Sequence, residues 1–210
     1  MTIRYQTTTQ PLTEVSRIED VPSKATIVWY DFEDATEKEN EFLRNHFDFN
    51  YLEIDDAING IPRAKYKAYE DYQYIVFHSI LTHDYAAIAL NVFLQGNTLV
   101  TYHHKRFESL KKVVQDNQKH HVSDLDCADI VIHILDSMVD KYFNFVYDIE
   151  DKVYTFEDRH VDDRYSKSVM DNVFQLRSDL IKIKRVLFPM QELVDTIKSE
   201  GKLIIDTKHS

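Results

Sequence analysis

The sequence predicts an α/β protein in which a largely antiparallel sheet is followed by a long antiparallel helical hairpin. Residues 64–103 contain four short runs rich in Tyr, Val, Ile and Phe, separated by turn-forming pairs. Residues 132–156 and 173–197 keep apolar residues at alternating spacings of three and four, which is typical of helices that pack on one face. Only three Gly and four Pro occur among 210 residues, so few tight turns are expected.

Composition excludes several classes of protein. Because 43% of the residues are hydrophobic, the chain can bury a substantial core. Its single cysteine, Cys127, allows no internal disulfide and fits a reducing compartment. The net charge of −11 argues against nucleic acid as a partner, since binding it requires a basic surface. The sequence has neither an apolar run of about 18 residues nor the apolar segment of a signal peptide.

The N-terminal third is expected to alternate between strands and helices. Residues 1–31 alternate in polarity like strands, and Ile27–Tyr30 is the expected first strand of the main sheet. Thr36–Phe47 is amphipathic with acidic residues in its first turn, which favours a helix. A second, short helix is expected at Tyr51–Ile58, and Ile61-Pro62 should end it.

Four strands should then build most of the sheet through short hairpin turns. They are expected at Ala64–Tyr69, Tyr72–Leu81, Tyr85–Leu94 and Thr98–His103. A helix at Phe107–Gln115 and a polar linker that ends at His120-His121 should connect the sheet to the hairpin. Ser123-Asp124 offers the cap for the first hairpin helix.

The hairpin prediction depends on two apolar stripes, each of which follows a seven-residue repeat. The stripes are Ile132, Leu135, Val139, Tyr142, Val146, Ile149, Val153 and Phe156, and Val173, Leu176, Leu180, Ile183, Leu187, Met190, Val194 and Ile197. The polar run Glu157–Lys167 has the length of a reversal. Pro189 should kink the second helix, and Gly201 should end it.

Negative charge is concentrated on the first hairpin helix. Residues 122–163 carry twelve acidic and three basic side chains, for a net charge of −9. Solvated surface charge explains most acidic pairs. Where carboxylates cluster without imidazole or thiolate, they suit hard, hydrated cations, Mg²⁺ above all. The candidates are Asp55 and Asp56 on the short second helix, and Asp136 with Asp140 on one helical face.

Other chemistry has little support in the sequence. The pairs His103-His104 and His120-His121 lack zinc-site spacing, and neighbouring side chains diverge in both helices and strands. Neither a Gly-rich phosphate loop nor a GxSxG motif is present. Cys127 has no evident activating base. No motif therefore supports an enzyme.

Taken together, four segments resemble the cytoplasmic domain of the CorA family of divalent-cation channels. The segments are FDFNYLEIDDAI, PRAKYKAYEDYQYIVF, IHILDSMVDKYFNFVYDIEDKV and LIKIKRVLFPMQEL, in family order, and the resemblance covers nearly all of residues 25–200. It implies an α/β/α sandwich with a largely antiparallel mixed sheet that bears two long acidic helices. It also implies a pentamer around a pore at the cytoplasmic face of the plasma membrane, anchored through C-terminal helices that follow a stalk.

The resemblance divides the chain and assigns metal ligands. It implies a sandwich domain at 1–121, the hairpin at 122–200, and the start of the stalk and membrane region at 201–210. Asp56 matches an aspartate that holds Mg²⁺ between subunits, and Asp55 and Asp136 match a second nearby site. Co²⁺ or Ca²⁺ would substitute for Mg²⁺. The family's Gly-Met-Asn pore signature is absent, so the chain is expected to be part of a longer protein.

Three alternatives remain open from the sequence. The chain could belong to a zinc-transporting relative within the same superfamily. It could be a metal-dependent enzyme that uses Asp55, Asp56 and Asp136. It could also be an acidic helical scaffold without a ligand.

Overall fold

The computed structural model describes residues 1–60, 64–81, 83–159 and 167–200. Within them, one mixed sheet contains the strands β1 (Thr2–Gln6), β2 (Thr13–Val15), β3 (Ile27–Glu33), β4 (Lys65–Ala68), β5 (Gln73–Ile80), β6 (Ala87–Gln95) and β7 (Thr98–His103). Their order across the sheet is β2-β1-β3-β7-β6-β5-β4. The β3–β7 pair is parallel, and the other neighbouring pairs are antiparallel. The predicted largely antiparallel mixed sheet is confirmed.

Helices cover both faces of the sheet. In the described residues the α-helices are α1 (Glu37–His46), α2 (Tyr51–Asn59), α3 (Glu108–Lys119), α4 (Cys127–Arg159) and α5 (Lys167–Glu200). Side chains of α1 and α2 share one hydrophobic core with one face of the sheet. Side chains of α3, α4 and α5 share a second core with the opposite face. This arrangement is the α/β/α sandwich that the resemblance implied.

Strand β5 shows how the sequence specifies both cores. All eight of its residues are buried, and alternate side chains of a strand point to opposite faces. Tyr74 and Val76 join the core under α1 and α2. Ile75 and Phe77 join the core under α3, α4 and α5. A strand that is covered on both faces therefore consists mostly of large apolar residues.

The two short helices form where the sequence predicts them. Thr36 and Glu39 make a capping box at the start of α1, in which each side chain bonds the backbone of the other residue. Helix α2 ends at Asn59, and Gly60 follows with a φ of +79°, a conformation that glycine adopts without strain. Ile61-Pro62, the predicted end signal, lies outside the described residues.

Two boundaries next to the hairpin differ from the predictions. Helix α3 continues to Lys119 instead of ending at Gln115, because Asn117 is buried and bonds Leu12 and Gln6 of the N-terminal region. Helix α4 begins at Cys127, and its cap is Asp126 instead of Ser123-Asp124. The Asp126 side chain accepts from the Asp129 backbone N–H at 2.9 Å, and Asp129 reciprocates at 3.0 Å.

The long helices α4 and α5 form an antiparallel pair. Tyr142 of α4 donates to the carbonyl of His78, and Met190 of α5 accepts from the His78 N–H at 3.2 Å. Farther along the pair, Lys152 of α4 and Asp179 of α5 line the same cleft. Most of the predicted reversal at Glu157–Lys167, and the predicted end at Gly201, lie outside the described residues. Pro189 lies within α5, which is helical on both sides of it.

The buried faces of the hairpin differ from the predicted stripes. In α4 the most buried side chains include Ile130, Val131, Ile134, Met138, Tyr142, Phe145 and Ile149; in α5 they are Val169, Asp179, Ile183, Val186, Met190, Leu193 and Ile197. Leu180, a central position of the predicted stripe, is 40% exposed. The prediction was wrong there because it counted apolar residues alone, whereas Asp179 takes the buried position.

The hairpin and the sheet share one core. Ile134 and Ile183 belong to the same buried cluster as Trp29 and Phe77. The division into domains at 1–121 and 122–200 stays a prediction, and 201–210 lies outside the described residues. Among the described helices, none combines the length and apolar character that crossing a bilayer requires.

Candidate functional site

Helix α2 presents the first two candidate carboxylates. The Asn50 side chain caps the helix by accepting from the Leu52 N–H at 2.9 Å, and the Asn50 N–H donates to the Tyr72 hydroxyl at 2.8 Å. Ile54 and Ala57 are buried, which fixes the rotation of the helix. As a result Asp55 is exposed, while Asp56 lies at the rim with a side chain that is 36% exposed.

A third acid on α2 is buried and paired. Glu53 is 1% exposed and accepts from the Tyr69 hydroxyl and from Lys65 Nζ, the latter at 3.1 Å. The same Nζ donates to Asp56 at 3.2 Å. Burial of the Lys65 ammonium would lower its pKa, but the hydrogen bonds to Glu53 and Asp56 outweigh burial and raise the pKa. Lys65 is therefore a charged bridge between one buried and one half-exposed carboxylate.

The third candidate, Asp136, lies in the opposite layer. It is exposed on α4, a helix that buries Ile134 and Met138 against the core on the other face of the sheet. Asp136 and the α2 carboxylates therefore belong to different layers of one chain. The described residues contain no group of three or more His, Cys, Asp or Glu side chains placed to hold a metal ion. The geometry of one chain gives no support to an enzyme site built from all three aspartates.

The donor chemistry of the exposed carboxylates fits a hydrated divalent cation. Mg²⁺ keeps several waters and binds through one or two carboxylates, and Asp55, which is exposed on α2, can offer one. Asp56 lies in the last turn of α2, where the partial negative charge of the helix end adds attraction for cations. Its ion pair with Lys65 opposes the binding of a metal cation, because Lys65 already neutralises the carboxylate.

The two side chains of the adjacent pair His103-His104 occupy different environments, as predicted. His103 is 2% exposed, whereas His104 is exposed and lies against the Tyr102 ring. His103 Nε2 meets Asp31 Oδ1 at 2.9 Å, and its Nδ1 meets the Lys105 carbonyl at 2.6 Å. Since both partners are acceptors, the site favours the protonated imidazole, in which both ring nitrogens donate.

This histidine belongs to a buried hydrogen-bond chain that the sequence did not reveal. Trp29 Nε1 donates to the Thr101 hydroxyl at 2.8 Å, and Thr101 donates to Asp31 Oδ1 at 2.6 Å. Asp31 and Thr101 are direct partners in the parallel β3–β7 pair. The pairing of two strands about 70 residues apart had no local signal, so the composition of the strands could not predict the network.

Comparisons with known proteins agree with this architecture. The family model for the CorA-like Mg2+ transporter protein matches residues 24–210. The chain is 30% identical over 194 residues to the Bacillus subtilis protein YfjQ, which is named as a metal ion transporter, covering 89% of this chain and 60% of that protein. It is 21% identical over 181 residues to the cobalt/magnesium transport protein CorA of Thermotoga maritima, covering 82% and 50%. The chain therefore spans less than two thirds of either relative.

Solved structures show the same fold. The soluble domain of CorA from Methanocaldococcus jannaschii matches with a TM-score of 0.75 at 17% identity, covering 94% of this chain and 79% of that one. The cytoplasmic domain of ZntB from Vibrio parahaemolyticus matches with a TM-score of 0.75 at 17% identity, covering 100% and 83%. At these identities the likeness concerns the fold alone.

Proposed function

The chain belongs to the family of CorA-like Mg2+ transporter proteins, and we propose that it is the Mg²⁺-sensing domain of a divalent-cation channel. In this proposal the domain lies on the cytoplasmic side of the plasma membrane. Occupied carboxylate sites between subunits favour the closed pore, and loss of Mg²⁺ releases it. Co²⁺ or Ca²⁺ would also bind the sites.

One observation carries the proposal. Asp55 and Asp56 are at the surface of one outer layer, and Asp136 is at the surface of the other. A cation that contacts both sets must therefore join two copies of the chain. Facing carboxylates repel each other across such a boundary, and a bridging Mg²⁺ removes that repulsion. Cation binding then biases a two-state assembly, which is the requirement for feedback.

The outer surface of the hairpin supports assembly of several copies. Helix α4 exposes Phe143, Tyr147 and Tyr154 among the acids Asp140, Asp148, Glu150 and Asp151. Helix α5 exposes Ile181 and Phe188 among the bases Arg177, Lys182, Lys184 and Arg185. An acidic aromatic face and a basic apolar face on neighbouring copies complement each other. A homopentamer is the form that we propose for the assembled copies.

Zinc transport is the second candidate, because the resemblance left a zinc-transporting relative open; the fold also matches the cytoplasmic domain of ZntB. Zn²⁺ favours histidine and cysteine ligands. The exposed carboxylates of α2 and α4 favour Mg²⁺ instead, so Mg²⁺ is the ion that we propose for regulation.

Mg²⁺ should stabilise the folded chain through α2. At a site with a Kd of about 1 mM, about 10 mM Mg²⁺ should add about 1.4 kcal/mol to the free energy of unfolding relative to chelator. Asp56→Ala should remove most of this increment. Thermal unfolding of both proteins, with and without Mg²⁺, measures it.

Asp71→Ala is the matched control, because Asp71 is an exposed acid in the turn before β5. It should keep the full Mg²⁺ increment. Equal increments in the wild type and in Asp56→Ala would rule out α2 as the sensing element.

A further inference from the structure

Lys65 is held in place by contacts with residues other than the candidate metal ligands. Its strand β4 pairs with β5, in the register Lys65 opposite Val76. Its Nζ lies 3.1 Å from the buried carboxylate of Glu53 and 5.4 Å from the centre of the Tyr74 ring. The Glu53 carboxylate is itself held by the Tyr69 hydroxyl. These contacts keep a positive charge beside α2.

The same charge neutralises one of the proposed Mg²⁺ ligands. Lys65 Nζ lies 3.2 Å from Asp56 Oδ2. A cation that approaches this carboxylate meets the positive charge of Lys65 at a few ångströms. The cation must share the carboxylate with Lys65 or displace Lys65 from it. Glu53 provides Lys65 with an alternative partner, so Lys65 can release Asp56 without losing its own counter-ion. Asp55, the adjacent exposed acid, is then the carboxylate that a cation meets first.

From this geometry we propose that Lys65 is an internal competitor of Mg²⁺ that weakens its binding to Asp55 and Asp56. The proposal rests on the proposed function, since it concerns the affinity of the same site. It assigns to Lys65 the setting of the Mg²⁺ concentration at which the domain responds. With Mg²⁺ bound, Asp56 would hold the ion, and Lys65 would keep Glu53 as its partner.

Calorimetric titration of the chain with Mg²⁺ tests this role. Lys65→Met should bind Mg²⁺ about two- to fivefold more tightly than the wild type, the range expected when a partly exposed ion pair is removed. Lys67→Met is the matched control. Lys67 is on the same strand two positions along, so it projects from the same face, and its ammonium stacks on the Tyr69 ring at 4.9 Å. This control makes the same change in net charge and should leave the Mg²⁺ affinity within about twofold.

Loss of Lys65 leaves Glu53 buried without its cation, which can destabilise the fold. The double variant Glu53→Gln with Lys65→Met removes both charges and should bind Mg²⁺ more tightly than Glu53→Gln alone. Thermal unfolding in chelator confirms that each variant is folded before it is titrated.

The outcomes separate the two proposals. If Asp56→Asn loses Mg²⁺ binding but neither Lys65 variant gains affinity over its control, Lys65 is no competitor and the sensing proposal stands. If Asp55→Asn and Asp56→Asn bind Mg²⁺ as the wild type does, or if no protein binds it, both proposals fail. A gain in both Lys65 variants that Asp56→Asn abolishes supports both.

Discussion

Ile183→Asp should destabilise the chain by about 3 kcal/mol or more, whereas Leu180→Asp should cost about 1 kcal/mol or less. Ile183 is 4% exposed and lies in the core between the hairpin and the sheet, while Leu180 is 40% exposed on the same helix. A carboxylate at position 183 loses apolar burial and places a charge without a partner in the core. Urea denaturation of the two variants measures the difference in the free energy of unfolding.

The two positions are three residues apart, and both belong to the stripe that the apolar periodicity alone predicts. The comparison therefore tests which face of α5 packs on the core. The two positions nearly match in helix propensity and in sequence neighbourhood. Similar costs for the two substitutions would contradict the packing of α5 described above.

Asp31→Ala should cost about 2 kcal/mol at pH 6, a typical loss for a hydrogen bond to a charged group, and clearly less at pH 9. Removal of the carboxylate takes away the acceptor that holds the His103 proton, so the buried imidazole no longer keeps its charge. Burial would lower the pKa of His103, but the hydrogen bond and charge of Asp31, with the Lys105 carbonyl, raise it above its ordinary value.

The pH dependence has a definite sign. Because the pKa of His103 is higher in the folded chain than in the unfolded chain, its stabilisation is complete below the unfolded value of about 6.5. It is lost as the pH rises through the folded value. The charged groups around the pocket beside His103 are Arg4, Asp31, Glu33, Arg106 and Lys111.

Urea denaturation at both pH values measures this effect, and Glu33→Ala is the control. Glu33 is an exposed acid on the same strand that acts on His103 only through its charge. It should change stability little at either pH. An Asp31→Ala cost that is the same at pH 6 and pH 9 would show that His103 is neutral in the folded chain.

Local patterns predicted the elements well wherever neighbouring residues decide the structure. Strand β7 was predicted at its observed bounds, Thr98–His103, because Gly96-Asn97 marks the turn before it and Gly96 adopts a φ of +55°. The three-residue strand β2 was missed, since so short a segment carries little periodicity. The parallel pairing of β3 with β7 depends on contacts between residues that lie far apart in the sequence, which local patterns do not reveal.

The hairpin shows where apolar periodicity is insufficient. Both long helices formed, but the buried face includes Asp179, whose carboxylate accepts from the Gln175 side chain at 2.9 Å. A polar residue that finds a partner can occupy a buried position. A prediction that counts only apolar side chains therefore placed the buried face of α5 at the wrong rotation about the helix axis.

The sequence named the candidate carboxylates but not their electrostatic surroundings. Asp55, Asp56 and Asp136 were candidates from the clustering of carboxylates, the resemblance matched them to metal sites, and their role as metal ligands stays a prediction. The ion pair of Lys65 with Glu53 and Asp56 depends on how β4 lies against α2. That arrangement follows from the sheet register, so the acidic sequence Asp55-Asp56 gave no sign that the Lys65 ammonium lies beside it.

An NMR titration of the chain with Mg²⁺ tests the sensing proposal most directly, because backbone amide signals report the bound residues one by one. We expect saturable shifts at millimolar Mg²⁺ that are largest at Asp55 and Asp56 and disappear in Asp56→Asn. The exposed acids Asp148 and Glu150 on α4 should shift little. Shifts at Asp148 and Glu150 as large as those at Asp55 and Asp56, and unchanged in Asp56→Asn, would contradict the proposal and leave only general attraction of Mg²⁺ to an acidic surface.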